Sequence, residues 1–289
     1  MSDDRLPAWF KVRFPGGENY RRIKEVMRGR RLHTICEEAH CPNIGECWDN
    51  GTATFLILGD ICTRACAYCA VTSGKPKAPV EVEPRRVASA VKAMALTHAV
   101  VTSVNRDDLV DGGASVYVQT LRLIRESSPG CRVELLIPDY EGKDLQAIVD
   151  ERPDILNHNI ESVARLFPRV RPKGSYARSI ELLAQAKEWS PEMVTKSGII
   201  VGMGESQEEV LETMADLREA AVDILTIGQY LRPTEKHIQV SRYYQPEEFQ
   251  DLKAAGKALG FVHVESGPLV RSSYHAHEHV EPATVQLQT

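Results

Sequence analysis

From residue 55 onward, short apolar runs alternate with segments in which apolar residues recur at helical spacing. The runs that favour β-strands are FLILGD, HAVVTSV, RVELLIPD, DILNHNI, TKSGIIVG and VDILTIGQY. Between them, Val87, Val91 and Met94 share one helical face, and Ser206 with Glu209 forms a capping box ahead of another helix. Six strand–helix repeats of this kind predict an α/β fold with a parallel sheet, either open or curled into part of a barrel.

The two ends of the chain do not follow this alternation. A helix from Pro246 to about Leu259 and a short strand, FVHVESG, are predicted after the sixth repeat. The first thirty residues are polar and interrupted by Pro and Gly, so we expect an extension outside the core. Residues 33–50 show neither strand nor helix periodicity, so we expect a loop held by something other than packing. The last fifteen residues are expected to form a tail.

The charge balance narrows the class of protein. Lys and Arg total 35 and Asp and Glu total 40, which gives a net charge of −5. This is not the charge of a nucleic-acid-binding protein. No apolar run approaches the length of a membrane span, and the opening residues, MSDDRLPAWF, lack the pattern of a secretion signal. We therefore expect a soluble, cytoplasmic protein with neither a nucleic acid nor a membrane as partner.

Six of the seven cysteines lie between residues 36 and 69, in the spacings C-x4-C-x5-C and C-x3-C-x2-C. The first triplet is Cys36, Cys41 and Cys47, and the second is Cys62, Cys66 and Cys69. Without a secretion signal, such clustering favours a metal site over disulfides. Structural zinc usually takes four ligands, whereas two triplets suit two iron–sulfur clusters, each with one iron open to another ligand. Iron–sulfur is favoured and zinc remains an alternative, while Cys131 is expected to be a buried core thiol.

Polar residues follow most of the predicted strands, where a parallel βα protein places its chemistry. Each of them has an ordinary interpretation as a loop residue, but their shared position favours a site. They are Ser103, Asn105 and Asp107 after the second strand, Asn157, His158, Asn159 and Glu161 after the fourth, Gly202 to Glu205 after the fifth, and Gln229 in the sixth.

The segment CTRACAYC resembles the radical S-adenosylmethionine (SAM) superfamily, whose signature is C-x3-C-x-aromatic-C, with Tyr68 at the aromatic position. Residues 198–205, GIIVGMGE, are similar to the superfamily's G-x-I-x-G-x-x-E pattern. The resemblance implies a partial (β/α)6 barrel of radical SAM type. It also implies that Cys62, Cys66 and Cys69 hold a [4Fe–4S] cluster whose fourth iron binds SAM.

The chain resembles the lipoyl synthase family more specifically. That family carries an additional C-x4-C-x5-C, matched here by Cys36, Cys41 and Cys47, and a terminal Arg-Ser-Ser-Tyr, matched by residues 271–274. The segments TSVNRDDLVDGGA and LNHNIES are also similar, and the resemblance extends from about residue 20 to 276. It implies an N-terminal extension over 1–50, a barrel over 51–232, and a C-terminal helix, strand and tail over 233–289, the two extensions covering the open face.

The resemblance also assigns individual residues. It implies Ser273 as the fourth ligand of the auxiliary cluster, held otherwise by Cys36, Cys41 and Cys47. On ligand chemistry alone, His275, His277 or His279 would be better donors, although a solvated tail is their simpler interpretation. Residues implied around SAM are Tyr68, Ser103, Asn105, Glu161, Arg178, Gly202 and Gln229, with Arg171 as an alternative carboxylate partner.

The implied reaction inserts sulfur at C6 and C8 of an octanoyl group on a lysine of a carrier protein. It consumes two SAM per product, and the auxiliary cluster supplies the sulfur. The implied partners are the glycine cleavage H protein and the E2 subunits of 2-oxoacid dehydrogenases, a ferredoxin or flavodoxin, and an iron–sulfur carrier protein. Two other functions stay open: a radical SAM enzyme whose auxiliary cluster only passes electrons, and a zinc-stabilised binding module.

Overall fold

The structure, a computed structural model, describes residues 6–12, 14–50 and 52–276. Its strands are β1 (His33–Thr34), β2 (Thr54–Ile57), β3 (His98–Ser103), β4 (Arg132–Leu136), β5 (Ile155–Asn157), β6 (Val194–Val201), β7 (Ile224–Gln229) and β8 (His263–Gly267). Its helices are α1 (Glu18–Arg30), α2 (Ile35–Glu38), α3 (Ile44–Asp49), α4 (Glu83–Met94), α5 (Ala114–Ser127), α6 (Gly142–Asp150), α7 (Phe167–Val170), α8 (Tyr176–Trp189), α9 (Gln207–Glu219) and α10 (Pro246–Ala258).

The strands form one sheet in sequence order, β1 to β8. From β2 to β8 all neighbours are parallel, and β1 joins the edge antiparallel to β2. In the described part of the chain, the edge strands β1 and β8 do not pair with each other, so the sheet is a partial barrel. The six predicted strands correspond to β2–β7, and the predicted FVHVESG strand forms β8, which confirms the α/β fold class.

Helices cover the outer face of the sheet and bury its strands. Every residue of β2 and β7 is buried, which is why apolar residues occupy consecutive positions there, such as 55–57, and are not confined to alternate ones. Val87, Val91 and Met94 of α4 are buried as their spacing predicts. The capping box of α9 is also confirmed, because Ser206 accepts from the Glu209 N–H while the Glu209 carboxylate accepts from the Ser206 N–H.

The N-terminal region corrects two of the sequence expectations. Helix α1 lies in the segment expected to be an extension outside the core, and its Ile23 and Met27 side chains are fully buried. The segment expected to be a loop contains β1, α2 and α3, and its Trp48 side chain is also fully buried. Tyr20 packs on Trp48 with ring centroids 5.0 Å apart. Apolar packing therefore holds the region that carries the first cysteine triplet.

Candidate active site

A cavity of about 530 Å³ opens at the carboxyl ends of the parallel strands. Thiols of both triplets line it, and so do residues 270–273 of the C-terminal segment. The thiols are those of Cys36, Cys41, Cys62, Cys66 and Cys69. Cys47 borders a second, smaller cavity together with Cys36, Cys41 and Ser273. The fold thus brings the two sequence motifs and the terminal motif to one place.

The loop with the second triplet follows β2 and is held by backbone hydrogen bonds to three other parts of the barrel. The Thr63 N–H donates to the Asn105 carbonyl at 3.0 Å, and the Ala67 N–H donates to the Val170 carbonyl at 2.9 Å. The Ile238 N–H donates to the Ala67 carbonyl at 3.0 Å. These bonds fix the loop geometry independently of any side chain, so the position of its three thiols is set by the fold.

Asp139, directly after β4, connects this loop to the next strand end. Its carboxylate accepts from Arg64 in the cysteine loop and from Arg171 at 2.9 Å, and the His158 ring lies at 3.4 Å. Burial raises the pKa of Asp139, but these three neighbours hold it below its usual value. Burial and the Arg171 charge lower the pKa of His158 to about 4, so the ring is neutral at pH 7. Arg64 also pairs with Asp107 at 2.8 Å.

The first triplet is arranged by the two short helices and by the terminal segment. Cys36 lies in α2 and Cys47 in α3, with Cys41 between them. The Asn43 side chain donates to the Leu269 carbonyl at 2.6 Å, and the Tyr274 hydroxyl donates to the Glu46 carboxylate at 3.2 Å. These two contacts join residues more than two hundred positions apart and place Ser273 beside the three thiols.

The donor atoms fit iron–sulfur clusters. Burial raises the pKa of Cys36 and Cys69 to about 12 and that of Cys66 to about 11, so ionised thiolates here require nearby positive charge, such as iron. The Cys62 sulfur accepts backbone N–H groups from Arg64 at 3.4 Å and Asn105 at 3.3 Å. Such bonds to ligand sulfur are a regular feature of iron–sulfur sites.

At the first triplet, the buried indole of Trp48 also fits a site that holds ionised thiolates. The Trp48 N–H has no hydrogen-bond partner among the described groups, and it lies where it would stabilise an ionised Cys36. A site for a single metal ion is a separate question. In the described part of the chain, no three His, Cys, Asp or Glu side chains lie close enough together to hold one.

The structure brings most of the residues expected around SAM to the cavity wall: Tyr68, Ser103, Asn105, Glu161 and Gln229. Arg171, the alternative carboxylate partner, also lines the cavity. Arg178 does not line it. Its side chain is 55% exposed and pairs with Glu141 at 2.9 Å on the surface.

Glu161 is held in an unusual backbone conformation. Its φ is +67°, a left-handed value that costs a non-glycine residue on the order of 1–3 kcal/mol. Its N–H donates to the Gly198 carbonyl at 2.9 Å and its carbonyl accepts from the Ile200 N–H at 2.8 Å, which ties it to β6. Burial raises the pKa of its carboxyl, opposed by Arg171, Asn159 and Tyr68. Strain maintained by the surrounding fold is typical of functional positions.

The G-x-I-x-G-x-x-E segment divides into a cavity-lining part and a structural part. Gly198 to Ile200 line the cavity, whereas Gly202 does not. Gly202 has φ +103°, and a Cβ there would lie 2.0 Å from the Gln229 side-chain nitrogen. The Glu205 carboxylate accepts from the Gly202 and Met203 N–H groups at 2.5 and 2.9 Å, so it closes the turn after β6. The Gln229 amide is itself bonded to the backbone at Tyr244 and Arg242.

Two further predicted positions have definite outcomes. Cys131 is buried, as expected for a core thiol. The His275 ring lies 3.3 Å from the Glu46 carboxylate and does not line either cavity. His277 and His279 lie outside the described residues.

Sequence reasoning gave no role to Arg271, which lines both cavities. Burial lowers the pKa of its guanidinium, while the neighbouring Cys41 thiol and Glu161 carboxyl oppose this effect. The fold thus places a desolvated positive charge between the two triplets. In the sequence, the only feature that pointed to Arg271 was its place in the terminal motif, residues 271–274.

Comparison with known proteins identifies the family. A family model of the radical SAM superfamily matches residues 56–217, and one of the N-terminal domain of lipoyl synthase matches residues 1–41. A lipoyl synthase of Rubrobacter xylanophilus is 61% identical over 279 residues, covering 96% of this chain and 87% of that protein. A lipoyl synthase of Chloroflexus aggregans is 57% identical, covering 96% and 92%. The chain belongs to the lipoyl synthase family.

Membership in the lipoyl synthase family confirms the predicted enzyme class. The chain is a radical SAM enzyme that makes the lipoyl cofactor by sulfur insertion, with SAM and [4Fe–4S] clusters as cofactors. The alternative of a zinc-stabilised binding module is therefore wrong.

Within the described residues, no helix is long and apolar enough to cross a membrane.

Solved structures agree on the fold. Methylornithine synthase aligns with a TM-score of 0.57 at 12% identity, covering 86% of this chain and 78% of that one. An [FeFe]-hydrogenase maturase from Carboxydothermus hydrogenoformans aligns with a TM-score of 0.54 at 14% identity, covering 90% and 77%.

Proposed function

We propose that the two triplets hold two separate clusters with different tasks on one substrate. Cys62, Cys66 and Cys69 would hold the cluster that binds SAM, and the first triplet with Ser273 would hold the auxiliary cluster. The observation that carries this proposal is the single cavity lined by thiols of both triplets. An alkyl chain in that cavity would lie between the two clusters.

When bound, SAM and the clusters supply a hydrogen-abstracting radical and sulfide, which acid–base side chains cannot provide. The protein's own contribution is binding, orientation and exclusion of water. The wall beside the second triplet carries Ser103, Asn105, Glu161 and Arg171, a set suited to the amino and carboxylate groups of SAM. Leu56, Val104 and Ile199 also line the cavity and suit an octanoyl chain.

The contrast between two arginines gives a direct test of the SAM site. Arg171→Ala is expected to weaken SAM binding by about tenfold or more. The substitution would remove the buried, charge-assisted hydrogen bond proposed between the Arg171 guanidinium and the carboxylate of SAM. Arg178→Ala is expected to leave SAM affinity within about twofold, because an exposed ion pair contributes little. Equilibrium binding of SAM to the reconstituted protein measures both. Weakened binding by Arg178→Ala alone would restore Arg178 to the site.

Ser273 is proposed as the fourth auxiliary ligand because it borders the same small cavity as Cys36, Cys41 and Cys47. A neutral hydroxyl binds iron weakly, and such a ligand can leave when sulfur is given up. All six clustered cysteines are assigned as ligands, and the seventh, Cys131, is buried and lines neither cavity, so no cysteine is left to act as a sulfur carrier there. We infer that sulfide of the auxiliary cluster is the sulfur source.

The substrates proposed are octanoylated lysines of lipoyl carrier domains, such as the glycine cleavage H protein and E2 subunits. A ferredoxin or flavodoxin is proposed as electron donor and an iron–sulfur carrier protein as the agent that rebuilds the auxiliary cluster. We propose that the enzyme meets these partners in the cytoplasm.

An assay with an octanoyl-lysyl peptide tests the proposal. Anaerobically reconstituted protein with SAM and reductant is expected to convert the peptide to its 6,8-dithiolated form, with two 5′-deoxyadenosines per product, measured by mass spectrometry. SAM cleavage without any sulfur in the peptide would instead indicate an auxiliary cluster that only passes electrons.

A further inference from the structure

We propose that Asn157, Ser272 and Asn159 form a positioning unit that holds Ser273 against the first cysteine triplet. Asn157 donates its side-chain N–H to the Ser272 hydroxyl oxygen at 2.7 Å. The Ser272 hydroxyl in turn donates to the Asn159 side-chain oxygen at 3.1 Å. Both asparagines lie at the carboxyl end of β5, so a strand end of the barrel holds the terminal segment one residue before Ser273. This inference rests on the proposed ligand role of Ser273.

A buried ion pair fixes the orientation of the Asn157 side-chain amide. The same side-chain nitrogen donates to the Glu134 carboxylate at 2.7 Å, and Glu134 accepts from Lys196 at 2.9 and 3.0 Å. All three side chains are fully buried. Turning the amide around would set its oxygen against the carboxylate, which is unfavourable where no water can intervene. The N–H that reaches Ser272 is thereby directed by a buried ion pair.

The terminal segment is also held on both sides of this contact. Gly228 in β7 lets the segment pass close to the sheet, since a Cβ there would lie 2.0 Å from the Val270 carbonyl oxygen. On the other side, Tyr274 bonds to Glu46 in α3. Ser273 therefore lies between one anchor on the barrel, at Ser272, and one on the helix of the first triplet.

Such anchoring has a chemical reason. A thiolate binds iron strongly enough to help order its own loop, whereas a neutral hydroxyl adds little binding energy. Ser273 can act as a ligand only if its neighbours hold it in place before the iron is bound. Partners outside the ligand set typically change metal affinity by about 10–100-fold. Ser272 is thus a positioning residue, distinct from the ligand itself.

The test uses the full-length chain with Cys62, Cys66 and Cys69 replaced by alanine, so that all iron belongs to the auxiliary cluster. Iron loss to a chelator is timed, and the iron sites are recorded by Mössbauer spectroscopy. Ser272→Ala and Ser273→Ala are each expected to speed iron loss about tenfold and to change the spectrum of one iron. Ser272→Thr, which keeps the hydroxyl, is expected to restore slow loss.

Ser266→Ala is the matched control. It removes the buried hydroxyl of Ser266 in β8, which donates to the Phe249 carbonyl in α10 at 2.8 Å and lines neither cavity. It is expected to leave iron loss within about twofold of the parent, because its lost bond affects stability but not the cluster. Asn159→Ala is a second variant in case Ser272→Ala does not fold, and it is expected to speed iron loss as well.

The two proposals fail in different ways. If Ser273→Ala loses iron no faster than the parent, Ser273 is not the ligand and both proposals are overturned. If Ser273→Ala is fast but Ser272→Ala and Asn159→Ala behave like Ser266→Ala, the ligand role stands and the positioning unit is overturned.

Discussion

Replacing Cys62, Cys66 and Cys69 together by alanine is expected to remove half of the iron and all SAM cleavage. Reconstituted wild-type protein should hold two [4Fe–4S] clusters, about eight irons per chain. Replacing Cys36, Cys41 and Cys47 instead should also halve the iron but retain SAM cleavage, because the second triplet and its cavity wall stay intact. Iron and sulfide analysis, with 5′-deoxyadenosine measured in parallel, separates the two variants.

The two triple variants serve as controls for each other. Both remove three thiols that line the two adjoining cavities, so a general loss of fold would affect them alike. SAM cleavage that persists without Cys62, Cys66 and Cys69, or that vanishes in both variants while both remain folded, would refute the division of tasks between the triplets.

Lys196→Met is expected to lower the free energy of unfolding by about 3–5 kcal/mol, because it leaves the Glu134 carboxylate buried without its cation. Both members of this ion pair are fully buried and 2.9 Å apart, with Glu134 in β4 and Lys196 in β6, on either side of β5. Denaturant unfolding of the reconstituted protein measures the change. The control is Arg165→Met, which breaks an ion pair whose arginine is 58% exposed and should cost at most about 1 kcal/mol.

The same pair predicts a pH dependence. Burial raises the pKa of Glu134, but Lys196 and His98 outweigh it and lower the pKa to about 2. A depressed carboxyl pKa contributes stability that is complete above the unfolded value of about 4.5 and is lost as the pH falls from there towards 2. The stability difference between wild type and Lys196→Met should therefore narrow as the pH falls through this range. A difference that stays constant down to pH 2 would contradict the assignment.

The sequence predicted those parts of the site that depend on local spacing. The two cysteine triplets and the strands β2–β7 could be found because each is a continuous pattern in the chain. The short helices α2 and α3 could not, since four and six residues are too few to show a helical period. Their stability comes from packing around Trp48, which joins distant segments.

The ion pairs of the site could not be predicted from the sequence, because they also join residues that are far apart in the chain. Asp139 bonds Arg64, 75 positions earlier, and Arg171, later in the chain, and neither spacing has a local signature. Arg171 and Arg178 are also of one residue type and close in sequence, so only the fold shows that one faces the cavity and the other the surface.

The most direct test of the two-cluster cavity follows the sulfur. The enzyme would be reconstituted with isotopically labelled sulfide, freed of excess sulfide, and given SAM, reductant and the octanoyl-lysyl peptide. The product is expected to carry labelled sulfur at both C6 and C8. No more than about one product per chain is expected, because the loss of sulfide should dismantle the one auxiliary cluster that each chain holds. Dithiolated product without label, or repeated turnover with no sulfide or cluster-carrier protein added, would contradict the account.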